Sequence, residues 1–206
     1  NNTKILCVVG SRRCSPYGKD ATDYLISGLQ GHDIIIVSGL ALGIDSAAHK
    51  AAIKYKLKTL SFPGSGLDDE VLYPASNLKL ADEILEQDGA LVSEYEPKTK
   101  SALHTFPARN RLMAAISDLV LIIEAEEKSG TQITARLALE YNKDVAIVPG
   151  SIFSKLSTGT AKLYKDGAYP VTSSADILDI LGLNSKPTQD TLFDTISDQE
   201  KTILEM

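Results

Sequence analysis

Short runs of apolar, largely β-branched residues recur at positions 5–9, 34–37, 57–62, 90–92, 119–123 and 145–148, bounded by Gly, Ser or Pro. A strand that is apolar throughout has to be covered on both faces. The intervening segments supply the cover, because residues 20–29, 44–55, 77–87, 107–116, 132–141 and 160–165 carry mixed patterns of helical period. Alternation of this kind predicts an α/β protein with a doubly wound, mainly parallel sheet and helices on both faces. A last helix is expected over residues 175–181, so the domain is drawn as residues 1–183. Residues 184–191 turn polar and read as a linker. Residues 192–206 then start something new, with Ser197 three positions before Glu200 in the spacing of a capping box.

Composition removes whole classes of function. Two cysteines, Cys7 and Cys14, exclude a disulfide framework, and three scattered histidines offer no local metal motif, so no metal is expected. No apolar run approaches the ~20 residues of a membrane span and no secretory leader pattern is present, which points to a soluble protein of a reducing cytoplasm. The net charge of −6 looks unfavourable for a polyanionic partner. Its distribution is uneven, however: residues 1–60 hold eight Lys and Arg against four Asp and Glu, whereas residues 61–100 hold three against nine. A basic site built from the first segment together with residues 101–150 is compatible with an acidic chain.

Open parallel sheets bind ligands beyond the carboxyl ends of their strands. The residues at those positions here are Gly10-Ser11-Arg12, Ser38-Gly39-Leu40, Pro63-Gly64, Ser93-Glu94, Glu124 with Ser129-Gly130-Thr131, and Pro149-Gly150. Small residues let phosphates approach backbone N–H groups, and helix N-termini add partial positive charge. The usual nucleotide motifs are missing: no G-x-G-x-x-G follows the first strand, Gly18-Lys19 has no Walker A context, and there is no nucleophile elbow. His32, His49 and His104 lack an acid or nucleophile partner in sequence, and His49 reads as an ordinary helix residue. No catalytic residue and no cofactor are expected.

The segment Phe106-Pro107-Ala108-Arg109-Asn110-Arg111 is the most specific. Pro107 suits a first helical turn, which puts Arg109 and Arg111 near a helix start, where the dipole disfavours cations. They serve an anionic ligand there or bridge to carboxylates such as Glu94 or Glu124. Phe106 stands either at the mouth of the same edge, free to stack on a base, or in the core.

Taken in order, Val9-Gly10-Ser11-Arg12, Ser15-Pro16-Tyr17-Gly18, Ser38-Gly39-Leu40-Ala41, Gly43-Ile44-Asp45, Tyr73-Pro74, Asn77, Phe106-Pro107 with Arg109-Asn110-Arg111, Ser129-Gly130-Thr131 and Pro149-Gly150 resemble the DprA/Smf family of DNA-processing proteins. The resemblance implies an extended Rossmann-like domain and a cytoplasmic, commonly dimeric protein. It also implies that the protein binds single-stranded DNA in natural transformation, protects incoming strands and helps load the RecA recombinase, without turnover. Carried over by position, it assigns the DNA site to Gly10, Ser11, Arg12, Gly39, Phe106, Arg109, Asn110, Ser129, Gly130 and Thr131. The tail from residue 184 then corresponds to a linker and the opening of a winged-helix-like domain. Three departures stand out: no basic residue at Leu103, His104 or Thr105, an extra residue between Asp68 and Tyr73, and Ala161 where an Asn is usual. The main alternative is a nucleotide-binding Rossmann enzyme that cleaves nucleoside monophosphates at the N-glycosidic bond, or a non-catalytic nucleotide carrier. The enzyme's phosphate loop carries a catalytic Glu where this chain has Thr134, so general acid–base chemistry lacks its agent.

Overall fold

The computed structural model describes residues 3–183. The linker and capping-box segment expected at 184–206 lie outside the described residues. Among the described residues seven strands form one sheet in the order β4-β3-β2-β1-β5-β6-β7. They are β1 (Lys4–Val9), β2 (Ile34–Ser38), β3 (Lys58–Ser61), β4 (Ala90–Leu91), β5 (Leu119–Ile122), β6 (Asp144–Ile147) and β7 (Tyr169–Pro170). Every pairing is parallel. Six strands coincide with the apolar runs; the two-residue β7 has no such run and was not anticipated.

Among the described residues seven α-helices accompany the sheet: α1 (Pro16–Ser27), α2 (Ile44–Lys54), α3 (Leu78–Glu86), α4 (Thr105–Ile116), α5 (Gly130–Glu140), α6 (Thr158–Lys165) and α7 (Ser174–Ile180). Alternation along β1 divides the core. Leu6 and Val8 pack with α1, α2 and α7 through Leu25, Ile26, Ala48 and Ile177, while Cys7 and Val9 pack with α4, α5 and α6 through Met113, Ala135 and Leu163. Both faces are therefore covered, as the doubly wound arrangement requires. A third cluster of Leu40, Leu72, Leu80, Ala81 and Ile84 seats α3.

Strand order runs outward from β1 to β4, then jumps back across α4 to β5, so the direction of winding reverses between β1 and β5. The loops leaving those two strands must diverge to opposite faces, which opens a crevice at their carboxyl ends. Local signals set the helix starts. The Ser15 hydroxyl accepts from the Gly18 N–H at 3.1 Å with Pro16 in the first turn, which begins α1 four residues earlier than its periodicity suggested. Ser173 and Asp176 form a reciprocal capping box on α7. Gly43, at φ 81°, lets the β2–α2 loop turn directly against the carbonyls of Ser11 and Arg12. That contact joins the β2–α2 loop to the β1–α1 loop.

Candidate nucleic-acid interface

The crevice between β1 and β5 is a cleft of about 340 Å³. The β1–α1 loop forms one wall, the N-terminus of α5 the other, and α4 closes the end. Nine of the ten predicted site residues line it; the tenth, Gly39, lies beneath the floor.

The first wall is held from behind. The Ser11 N–H donates to the Glu124 carbonyl at 2.7 Å, tying the β1 loop to the β5 loop, and the Ser11 carbonyl accepts from Ile44 N–H at 3.2 Å. The Ser11 hydroxyl accepts from Arg13 N–H at 3.1 Å, so it shapes the turn. Glu124 is buried; its carboxylate accepts from the Ser15 N–H at 2.8 Å and from the Ser15 hydroxyl at 2.5 Å. These bonds leave Arg12 projecting from a fixed loop, and its guanidinium lies 4.8 Å from the centroid of the Phe106 ring. Gly64 supports the ring from below, where a Cβ would come within 2.5 Å of it, and Tyr73 packs beside it at 5.6 Å and 57°. Phe106 is thus half-buried at the rim, with its outward side roofed by a cation. It is neither a core residue nor a bare platform.

Arg109 has a different place. It is only 4% exposed, and its Nη1 donates to the carbonyl of Gly39 at 2.6 Å and to that of Phe62. Its Nε donates to Asn110 Oδ1 at 3.0 Å. Asp45 shares this floor, accepting from the Gly39 N–H at 3.1 Å. Burial pushes the Asp45 carboxyl up, against the opposing pull of Arg109, of the Ala41 and Gly39 amides and of Arg12. Burial likewise pushes Arg109 down, while Asp45 holds it up. The two are mutual counter-charges beneath the cleft, so Arg109 braces the site more than it faces a ligand. Arg111 leaves the cleft and pairs with Glu94, one of the carboxylates that the sequence offered.

On the opposite wall, Ser129 caps α5 by position, but its hydroxyl makes no capping bond and has no partner among the described residues. No acid occupies the first turn of α5. The N–H groups of Gly130 and Thr131 have no acceptor among the described residues, and a Cβ on Gly130 would meet open space. Uncapped donors at the positive end of a helix, facing an arginine across a cleft, suit an anionic oxygen.

Sequence reasoning had not assigned Asp45, Ala41, Lys128 or Thr134 to the site, although all four line the cleft. Asp45 left a signal, an acid in the first turn of α2 after Gly43. Thr134 is buried at the position where the hydrolase loop would carry its Glu. Asn77 is a further supporting residue. Its Nδ2 donates to the Leu40 carbonyl at 2.7 Å and to Ser46 Oγ at 2.8 Å. It thereby holds the β2–α2 loop at Leu40, whose φ of 58° places a non-glycine residue in the left-handed region.

A parallel α/β sheet with a cleft at its switch point, walled by uncapped helix amides and an arginine–aromatic pair, defines a Rossmann-like α/β protein. The chain belongs to the family of DNA recombination-mediator protein A, whose profile matches residues 1–182. It is 44% identical to the DNA processing protein DprA of Streptococcus pneumoniae over 84% of this chain and 60% of that protein. The solved structure of DNA processing protein A from Helicobacter pylori, described for its single-stranded DNA binding mode, superposes with a TM-score of 0.77 at 35% identity. That match covers 86% of this chain and 80% of that one. The molybdenum cofactor carrier protein of Chlamydomonas reinhardtii shares the fold, with a TM-score of 0.60 at 15% identity over 87% of this chain and 97% of its own. The chain spans about three-fifths of the length of the S. pneumoniae relative. Among the described residues no helix is long and apolar enough to cross a membrane.

Proposed function

We propose that this chain binds single-stranded DNA at the cleft between β1 and β5 and acts by holding and presenting the strand, not by catalytic turnover. The observation that carries the reading is the Arg12 guanidinium lying over Phe106 opposite the uncapped N-terminus of α5. An unpaired strand offers phosphates and splayed bases together. Phosphates fit the Gly130 and Thr131 amides and the charge of Arg12, while a base stacks on the flat guanidinium–phenyl pair. A duplex keeps its bases stacked inside and meets only the charged half of the site.

In the cell, occupancy of this cleft would shield incoming strands during natural transformation and deliver them to the RecA recombinase in the cytoplasm. A homodimer would set two clefts on one strand and raise avidity without any new contact. Membership of the family supports this reading.

The test is a mobility-shift titration with an oligo-dT, a duplex of equal length and a mononucleotide as competitors. The oligo-dT is expected to bind best, with the other two competing weakly. Equal affinity for single and double strands refutes the reading, and preferential binding of the mononucleotide makes the protein a nucleotide carrier. Release of free base from a nucleoside monophosphate would instead establish the hydrolase alternative.

A further inference from the structure

A second cleft, of about 500 Å³, runs between α1 and α2 and shares Arg12 with the first. Beyond Arg12 it is lined by Arg13, Lys19 and Lys50, all exposed, and none of the three side chains has a hydrogen-bond or ion-pair partner among the described residues. Two carboxylates reach the same cleft. Asp23 is taken up by Lys54 at 2.9 Å and by the Tyr55 hydroxyl at 2.8 Å, which leaves Asp20 facing three unpaired cations. The rest of the wall, Leu42 and Asn77 apart, is small residues such as Gly43, Ser46, Ala47 and Ala51, with no aromatic residue. Such a surface attracts negative charge and offers no stacking platform. Arg12 forms the junction, with one cleft on each side of it.

We infer that this α1–α2 cleft carries the phosphodiester backbone of the strand onward from the stacking site, with Arg13, Lys19 and Lys50 as its phosphate contacts. The inference rests on the proposed single-stranded DNA reading of the first cleft. It makes the site bipartite. Bases are gripped beside Phe106, and the next phosphates are held by charge alone as the strand passes over Arg12. Strand length then governs affinity, because only a strand long enough to cross Arg12 reaches the second cleft.

The experiment replaces all three cations in the full chain, Arg13→Gln, Lys19→Gln and Lys50→Gln together, and compares binding of oligo-dT of about 4 and about 20 nucleotides, lengths near and beyond a single-module footprint. Each phosphate contact on a single strand contributes about 0.7 to the slope of log affinity against log salt, so the longer strand should lose about 2 from that slope. The wild-type advantage on the long strand then shrinks roughly 16-fold between about 50 and 200 mM salt. Affinity for the short strand stays unchanged. An unaltered slope on the long strand overturns the inference, as does equal weakening of both lengths or an equal loss on duplex DNA. An Arg12→Gln variant measured in parallel separates the two levels. If it also leaves the short strand unaffected, the reading of the first cleft fails; if it weakens the short strand while the triple variant changes nothing, only the second cleft is refuted.

Discussion

Acid should destabilise this fold through one buried imidazole. His49 sits on α2 with no exposed surface, and its Nδ1 lies 2.7 Å from Thr59 Oγ1. The Thr59 hydroxyl spends its single proton on the Ile36 carbonyl at 3.0 Å, so it can only accept from His49. The proton of the neutral ring is therefore on Nδ1, and Nε2 is bare and without a partner among the described residues. Protonating Nε2 would create a second buried cation near Arg109. Burial first, and the Arg109 charge second, lower the His49 pKa from 6.5 to about 3. The folded pKa lies below the unfolded one, so the unfolded chain takes the proton first as pH falls. The contribution is complete above pH 6.5 and drains away as pH falls toward 3. At ~1.4 kcal/mol per pH unit, about 3 kcal/mol of stability disappears between about pH 7 and pH 4.5. His49→Gln keeps an N–H for Thr59 and carries no titrating group. Urea midpoints followed by circular dichroism for both proteins across that range isolate the residue, because every other titration, including that of buried Asp45, is common to both. The wild type should lose about 3 kcal/mol more than the variant. Parallel pH profiles would refute the burial argument.

Other perturbations address the cleft directly. Phe106→Ala should weaken oligo-dT binding by roughly 1–3 kcal/mol with little change in salt slope, as read by fluorescence anisotropy. Arg12→Ala should flatten the slope by about 0.7, and an unchanged slope removes Arg12 from the phosphate contacts. Because the two side chains stack on each other, the double variant should lose less than the sum of the singles, by about 0.5–1 kcal/mol. A Cβ on Gly39 would overlap the Arg109 guanidinium, so Gly39→Ala should destabilise by about 1–3 kcal/mol in urea titrations. A Cβ on Gly130 meets only open space, so Gly130→Ala should leave the urea midpoint alone and lower strand affinity by crowding the α5 amides.

The sheet could be read from the chain because a strand buried on both faces needs no tertiary information to reveal itself. The runs around Leu6, Ile36 and Val120 are apolar at every position, and no other parallel arrangement hides them. β7 escaped because Tyr169–Pro170 lies in no apolar run, whereas the equally short β4 falls within the run at 90–92. The loops of the site were found by the same logic, since the carboxyl edge follows from strand direction. The assignment of roles within the site was not accessible. Whether Arg109 faces ligand or floor depends on carbonyls at Gly39 and Phe62, distant in sequence and brought near only by the packing of α4 across the sheet. The same holds for Phe106: core and platform were the two alternatives, and the structure has it supported by Gly64 and roofed by Arg12.

An acidic chain with a polyanionic partner is consistent once charge is placed in space. The acids concentrated in residues 61–100 lie mainly on the β3–α3–β4 side, and β4 is an edge strand of the sheet. The unpaired cations Arg12, Arg13, Lys19 and Lys50 gather around the loop leaving β1, at the middle of the strand order. Exposed charges separated by more than about 10 Å are largely screened from one another at ~0.1 M salt. A strand approaching the β1–β5 crevice therefore meets the local cations rather than the net charge. Two carboxylates line the cleft: Glu126 is exposed to solvent, and the buried Asp45 has Arg109 as its counter-charge. On the proposed reading, that charge balance leaves Arg12 the arginine for the strand, and Arg109 supports binding only through the floor it neutralises.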